Sequence, residues 1–543
     1  MIIRPPVTPS LVRTPFRLRN GHLRPRSSRH TTAPTVHRVQ LTGRAQSRFQ
    51  QLPSDLVTIV PQSGVHARPG RPMATRLKLG LLIPLVILIF SLVQNLDQVQ
   101  VSPFHRDESR WIGRAFFIQE IFHPFSNTWN DYYITNNQAP FANYIMGIGQ
   151  FVFGQDISIG RIWDFNYTQA WNELVGAMPT PSEMDAGRRT NALIGAIVAM
   201  LVYMVGVRIG NRFGAFIGAA FLACHPLHIL MSSQALSDEI LALWIVSIFL
   251  AAMRFARRPS WQNTTVMAVL LGIGGSTKLT PLLLSFALAG LGVALLVRWR
   301  FFPGFSPNPK HERDLGIKLV VQPFIAYFTF VAVFPWLWVD PIGRTYRMFT
   351  ARAQEMESQG NIWGNLHVAT PIDALDRIGV RLSHDYSTTA RLGRILADIL
   401  SFNYQPPSID LVLGFAGAIL FAVLVFRKGI ASQYGLLGYL MLCELGIIVV
   451  GLKADFNRYH LPIAMIMAIC IGYLGSRVWN VLGSMQAWRV LDLIPGIDFV
   501  LTGSKAKATR DRSFPRGLRR PQVRPQTPSS APGNVHELPA SSD

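Results

Sequence analysis

Two adjacent carboxylates, Asp107 and Glu108, stand in the stretch VSPFHRDESRWIGR at residues 101–114. Neighbouring acids raise one another's proton affinity, and a carboxylate held beside a reacting hydroxyl can take its proton as a general base. A bare Asp-Glu pair is more often a solvated loop than a site, so its surroundings decide. The apolar run 79–96 just before it has about the length, roughly 20 residues, that crosses a bilayer's hydrocarbon core as a helix. The pair therefore sits at a membrane surface. Two cations further along have the complementary character: Lys278 in STKLT, between two apolar half-spans, and Arg458 in FNRYHLP, before the last apolar run. Ionisable groups at membrane depth are costly and tend to mark substrate or ion pathways, and the planar fork of arginine suits a phosphate. Both have a plainer reading as basic side chains snorkelling from helix ends to the headgroups. Asp238, after Ser237, reads in the same way either as a site residue or as an N-cap for the following helix.

The elements that must hold these groups are membrane helices. Of 543 residues, 49% are hydrophobic and only 15% charged, the composition of an all-α polytopic membrane protein. With the first span, apolar runs at 190–207, 213–231, 237–255, 264–277, 279–297, 317–338, 409–426, 433–451 and 460–481 predict about ten crossings. Gly274, Gly275 and Pro281 break the block 264–297 into two short helices. A first large connection, 97–187, contains two segments, 110–121 and 141–153, too short to cross and suited to lying at the interface. A second, 340–408, carries Trp363, His367, Asp373, His384, Asp385 and Tyr386, which the sequence does not rank.

The formal charge of +22 comes from Lys and Arg in the tails and short loops, where it retains segments in the cytoplasm and needs no nucleic-acid partner. If the first span leaves the cytoplasm, the basic loops 208–212, 254–258, 298–318 and 427–428 all fall inside with both termini. The acidic pair, 225–238, 276–280, 340–408 and 453–460 then fall outside together. Residues 1–76 read as a disordered basic tail, with a transit segment or a start at Met73 as further readings. Residues 77–483 form the membrane domain, and 484–543 an amphipathic segment and a disordered basic tail. Cys224, Cys443 and Cys470 lie in apolar runs and imply packing, not a disulfide framework. No histidine spacing points to a metal, and no phosphate-binding glycine loop or nucleophile elbow is present.

Taken in order on this topology, the motifs resemble the GT-C membrane glycosyltransferases, in particular the family of protein O-mannosyltransferases and the bacterial aminoarabinose transferase. The resemblance covers about residues 80–477. It is carried by His105-Arg106-Asp107-Glu108, by Gln138-Ala139-Pro140-Phe141 with Gly147, Gly149 and Gly154, and by Arg188 seven residues before Gly195. The block from Gly195 to Asp238, then STKLT, FPWLWVDPIGR and NRYHLP complete it. Gln138, Asn143 and Gln234 depart from the histidine, lysine and arginine usual in the family, which bears on the sugar and acceptor more than on the reaction. The resemblance implies a GT-C-like fold and a transferase that moves a sugar, a hexose such as mannose, from a polyprenyl-phosphate carrier to an acceptor hydroxyl outside the cytoplasm, with inversion. It implies Asp107 as base and Glu108 as its orienting or tuning neighbour. Lys278, Arg458 and Arg188 would hold the donor phosphate, and His105, Gln138 and Asp238 would contact substrate. No metal or other cofactor is expected, the acceptor is protein, lipid or glycan, and the membrane is a bacterial plasma membrane. The competing classes are a transporter or flippase of a lipid-linked substrate, against which stand the lack of an internal repeat and the large aromatic outer connection, and an inert lipid-binding homologue.

Overall fold

A computed structural model of the chain describes residues 73–131, 138–158, 160–305, 308–403 and 406–484. Of the tails expected at 1–76 and 484–543, residues 1–72 and 485–543 lie outside the described residues.

Long apolar runs become helices because in hydrocarbon every backbone N–H and C=O has to be satisfied within its own segment. The first, α1 (Met73–Val101), already begins within the stretch expected to be tail. The outer connection then folds into the short helices α2 (Arg106–Gly113), α3 (Phe117–Glu120), α4 (Phe141–Val152) and α5 (Gln169–Leu174). Next comes α6 (Pro181–Ile209), whose start is fixed by a capping box between Thr180 and Glu183 with a proline at its first position. This places the end of the outer connection at 180, not 187. The chain continues through α7 (Arg212–Ala223), α8 (Pro226–Ser232), α9 (Ser237–Arg257), α10 (Trp261–Gly275), α11 (Thr280–Phe301) and α12 (Pro309–Ala332). The second connection holds α13 (Pro341–Ile362), α14 (Pro371–Val380) and α15 (Thr388–Ile399), and the bundle closes with α16 (Asp410–Lys428), α17 (Gln433–Gly451) and α18 (Leu461–Ser484).

Among the described residues eight helices are long and apolar enough to cross a membrane, or nine if α7 and α8 count as one span bent by 62°. Two of the ten expected runs lie outside that set, each for its own reason. The helix α10 has 15 residues, fewer than the roughly 20 typical of a crossing, although it joins the basic loop at 258 to Lys278 at the cavity end. The run 213–231 is broken at Cys224–Pro226, because Pro226 lacks an N–H and keeps His225 extended at φ −70°, ψ 122°.

The centre of the bundle is α6, α9 and α18, buried over 61%, 67% and 72% of their apolar windows, whereas α1 and α16 at 22% form its periphery. Small residues let backbones approach closely there, as is usual between membrane helices. A Cβ added at Gly218 of α7 would lie 2.6 Å from the carbonyl oxygen of Ala468 on α18. No strand occurs among the described residues. A single antiparallel bridge joins His367 to Ala454 and ties the second connection to the segment before α18.

Candidate active site

The acidic pair begins α2, and the helix itself separates the two carboxylates. His105 is the N-cap: its Nδ1 accepts from the Asp107 N–H at 3.2 Å, and the Glu108 carboxylate accepts from the His105 N–H at 2.8 Å. Successive helical residues point about 100° apart, so one acid turns inward and the other does not. Glu108 is fully buried. Its Oε1 accepts from Arg188 Nε at 2.8 Å and the Ala235 N–H at 2.9 Å, and its Oε2 from Arg188 Nη2 at 2.8 Å and from His105. Arg188 also donates to the carbonyl oxygens of Ser102 at 2.9 Å and Pro103 at 3.1 Å. Both groups are saturated by protein partners and neither lines the cavity described below. The structure therefore places Glu108 and Arg188 behind the cavity wall, where they brace α2, and not among the groups that line it.

Asp107 faces the other way and pairs with the guanidinium of Arg458. Arg458 sits in the turn Asn457–His460 that leads into α18, with its guanidinium 5.0 Å from the Phe456 ring and 5.5 Å from that of Tyr459. Lys278, at the bend between α10 and α11, places Nζ 2.5 Å from Asp238 Oδ1 and 5.8 Å from the Tyr459 ring. It is paired rather than snorkelling. Asp238 is not an N-cap either: Leu236 holds that position without a side-chain bond, and Asp238 is the second residue of α9, where a carboxylate is favoured by the helix dipole.

These groups meet in a cavity of about 920 Å³. Of the eight residues the sequence singled out, His105, Asp107, Gln138, Asp238, Lys278 and Arg458 line it. From the second outer connection, Trp363 lines it, whereas His367, Asp373, His384, Asp385 and Tyr386 do not. The sequence missed Arg352 of α13, which lines the cavity, donates from Nη2 to the Tyr459 hydroxyl at 3.0 Å and pairs with Glu355 at 2.6 Å. Lys278, Arg352 and Arg458 thus gather around one phenol. Nothing in the local pattern around Arg352 marks it, because its importance comes from a tyrosine 107 residues away.

The electrostatics follow from these pairings. Burial alone would push the Asp107 carboxyl up, but Arg458, with Arg110 and His105, outweighs it and holds the group well below the usual carboxylate range. Asp107 is therefore ionised at neutral pH. Burial pulls His105 below the ordinary histidine value, only partly offset by Asp107, so its imidazole is neutral. With Nδ1 accepting, the proton resides on Nε2. Behind the cavity, burial would raise Asp455, yet His460 at 2.8 Å and Arg381 at 3.0 and 3.1 Å hold its carboxyl below the usual range. This cluster fixes the segment that carries Arg458 against the second outer connection. The arrangement offers a carboxylate base beside a set of cations able to grip an anion.

No curated protein matches the chain. Among solved structures, the Archaeoglobus fulgidus oligosaccharyltransferase tethered with an acceptor peptide aligns with 13% identity over 74% of this chain and 50% of its own, at a TM-score of 0.40. ArnT from Cupriavidus metallidurans, bound to undecaprenyl phosphate, aligns with 13% identity over 76% and 63%, at 0.40. The S. cerevisiae Pmt1-Pmt2 complex bound to the sugar donor aligns with 16% identity over 52% and 38%, at 0.34. This chain thus spans 38% to 63% of those chains. Residues 148–341 match the family described as dolichyl-phosphate-mannose-protein mannosyltransferase, a segment that includes Arg188, Asp238 and Lys278 but neither Asp107 nor Arg458. Across those residues the chain is similar to the dolichyl-phosphate-mannose-protein mannosyltransferases, the family its ordered motifs resemble.

Proposed function

We propose that this membrane protein transfers a sugar, a hexose such as mannose, from a polyprenyl-phosphate carrier to an acceptor hydroxyl on a protein, lipid or glycan. The observation that carries the reading is the cavity in which Asp107 faces Arg458 and Lys278. A carboxylate and two cations lining one cavity support a base and a phosphate grip that act on the same bound donor.

Arg458 neutralises Asp107. A donor phosphate competes for the same guanidinium, and as Arg458 turns to it the proton affinity of Asp107 rises. The base thus becomes effective when the donor is in place. The acceptor oxygen attacks the anomeric carbon while Asp107 takes its proton. The bond from that carbon to the phosphate oxygen breaks, its electron pair leaves with polyprenyl phosphate, and Arg458 and Lys278 stabilise the added charge. Attack opposite the leaving group gives inversion. His105 presents its Nε2–H to the substrate, Gln138 and Asp238 contact it, and Glu108 with Arg188 positions α2. In this reading Arg458 and Lys278 supply the positive charge at the departing phosphate in place of a resident metal. The basic loops lie at the helix ends opposite the cavity, which supports an extracytoplasmic site with both termini inside; the setting proposed is a bacterial plasma membrane.

The test is transfer from a panel of radiolabelled polyprenyl-phosphate sugars in membranes containing the wild type beside Asp107→Asn at equal expression. A labelled product with free polyprenyl phosphate, reduced about a hundred- to ten-thousand-fold in the variant, is expected. Equal turnover would remove Asp107 from the mechanism. Movement of intact donor between leaflets without turnover would make the protein a flippase. EDTA treatment is expected to leave transfer unchanged.

A further inference from the structure

The cavity has a second chemical character on its membrane side. Below the polar rim of Asp107, Lys278 and Arg458, its walls are Leu241 of α9, Leu283 of α11, and Ile447 and Ile448 of α17. One ionisable group, Glu444, lines this apolar part. It lies seven residues before Gly451, the last residue of α17, which is about 10 Å along the axis at about 1.5 Å per residue. Its side chain is fully buried, and neither carboxyl oxygen has a hydrogen-bond partner among the described residues.

A buried carboxyl without partners is destabilising, and an acid that faces a cavity inside a membrane span marks a binding site by default. A hydrocarbon chain offers it nothing. Its partner has to bring hydrogen-bond donors to membrane depth, and hydroxyl or amino groups of a carbohydrate are such donors. An acceptor enters from the aqueous side, past Asp107, whereas a lipid-borne sugar enters from the side on which Glu444 lies. Resting on the transfer reading above, we propose that Glu444 hydrogen-bonds a hydroxyl or amino group of the donor sugar and sets which sugar is accepted. Apolar walls alone discriminate weakly between sugars, whereas a site that hydrogen-bonds a substrate hydroxyl rejects the analogue lacking it by about 10⁴–10⁵-fold.

The full-length protein in membranes is treated with dicyclohexylcarbodiimide, which modifies carboxyl groups in apolar surroundings, and the adduct at Glu444 is quantified by peptide mass spectrometry. Competitors are polyprenyl phosphate carrying mannose, glucose, galactose or 4-aminoarabinose, bare polyprenyl phosphate, and a serine- and threonine-rich peptide. At least one glycosylated donor is expected to cut the adduct tenfold or more where the bare carrier does not. Equal protection by the bare carrier, protection by the peptide alone, no protection, or no adduct in the empty protein would each overturn the assignment. A second variant separates binding from folding. Glu444→Leu removes an unpaired carboxyl, so its thermal unfolding is expected at or above the wild-type temperature, while its preference among the donors in transfer flattens at least tenfold. An unchanged preference would overturn the proposal. Protection by a glycosylated donor without any transferred product would leave this site standing and sink the transfer reading instead.

Discussion

At the scale of the residue, Asp107 is controlled by Arg458. Arg458 holds its carboxyl below the usual range, so the pair's contribution to stability is present above the unfolded value, about 3.9. That contribution is lost only as pH falls through the depressed folded value. Removing the arginine removes the depression and leaves the opposing effect of burial. In Arg458→Gln, residual kcat/KM, which reports groups of the free enzyme, is expected to fall as pH drops below about 5, where the wild-type profile stays flat. A parallel pair of profiles would show that Arg458 does not set the proton affinity of Asp107. Arg458→Lys keeps the charge but loses the planar fork, and at least a tenfold loss of transfer is expected, read chiefly in KM for the donor.

At the scale of the element, α2 is aimed by a fully buried carboxylate. Glu108 receives four hydrogen bonds from Arg188, Ala235 and His105, which joins α2 to α6 and to the segment before α9. Removing one member of a buried ion pair leaves the other uncompensated, at a cost of about 3–5 kcal/mol. Arg188→Leu is therefore expected to lower the thermal unfolding temperature in detergent and to abolish transfer. The double variant with Glu108→Leu is expected to lose less stability than the two single changes summed, because the residues are coupled. Strict additivity in that cycle would contradict the brace.

At the scale of the whole molecule, the cavity opens at one end of the bundle and the short basic loops 208–212, 254–258 and 427–428 lie at the other. Single cysteines placed in a variant lacking Cys224, Cys443 and Cys470 test this. A cysteine at Ser358 is expected to react with an impermeant maleimide in intact cells, and one at Gly429 only after permeabilisation. The reverse pattern would turn the topology over. The second outer connection is held to the Arg458 segment by Arg381, Asp455, His460 and the His367–Ala454 bridge. Arg381→Ala is expected to raise KM for the donor several-fold with a smaller change in kcat, because it loosens the wall around Arg458 and leaves Asp107 in place.

The bilayer makes much of this protein legible in one dimension. Its thickness fixes helix length and its interior excludes charge, so hydropathy located the long spans, and four polar residues left at their ends, Asp107, Asp238, Lys278 and Arg458, all line one cavity. The break after Cys224 was marked by Pro226 but not its consequence, a span bent by 62°. What hydropathy could not carry was direction and partnership. Asp107 and Glu108 are indistinguishable as sequence neighbours. Helix phase, together with partners 80 and 127 residues away, turns Glu108 inward onto Arg188 and Ala235, while Arg458, 351 residues away, meets Asp107. Arg352 likewise carries no local mark, whereas Glu444, the one charge in the apolar run 433–451, was legible by the rule that singled out Lys278 and was passed over. The sequence by itself determined where charge can sit relative to the membrane, because transfer into hydrocarbon is a property of each segment alone. Only the tertiary structure decided which charges neutralise, brace or face the cavity, because pairing at a few ångströms depends on segments that the chain order keeps far apart.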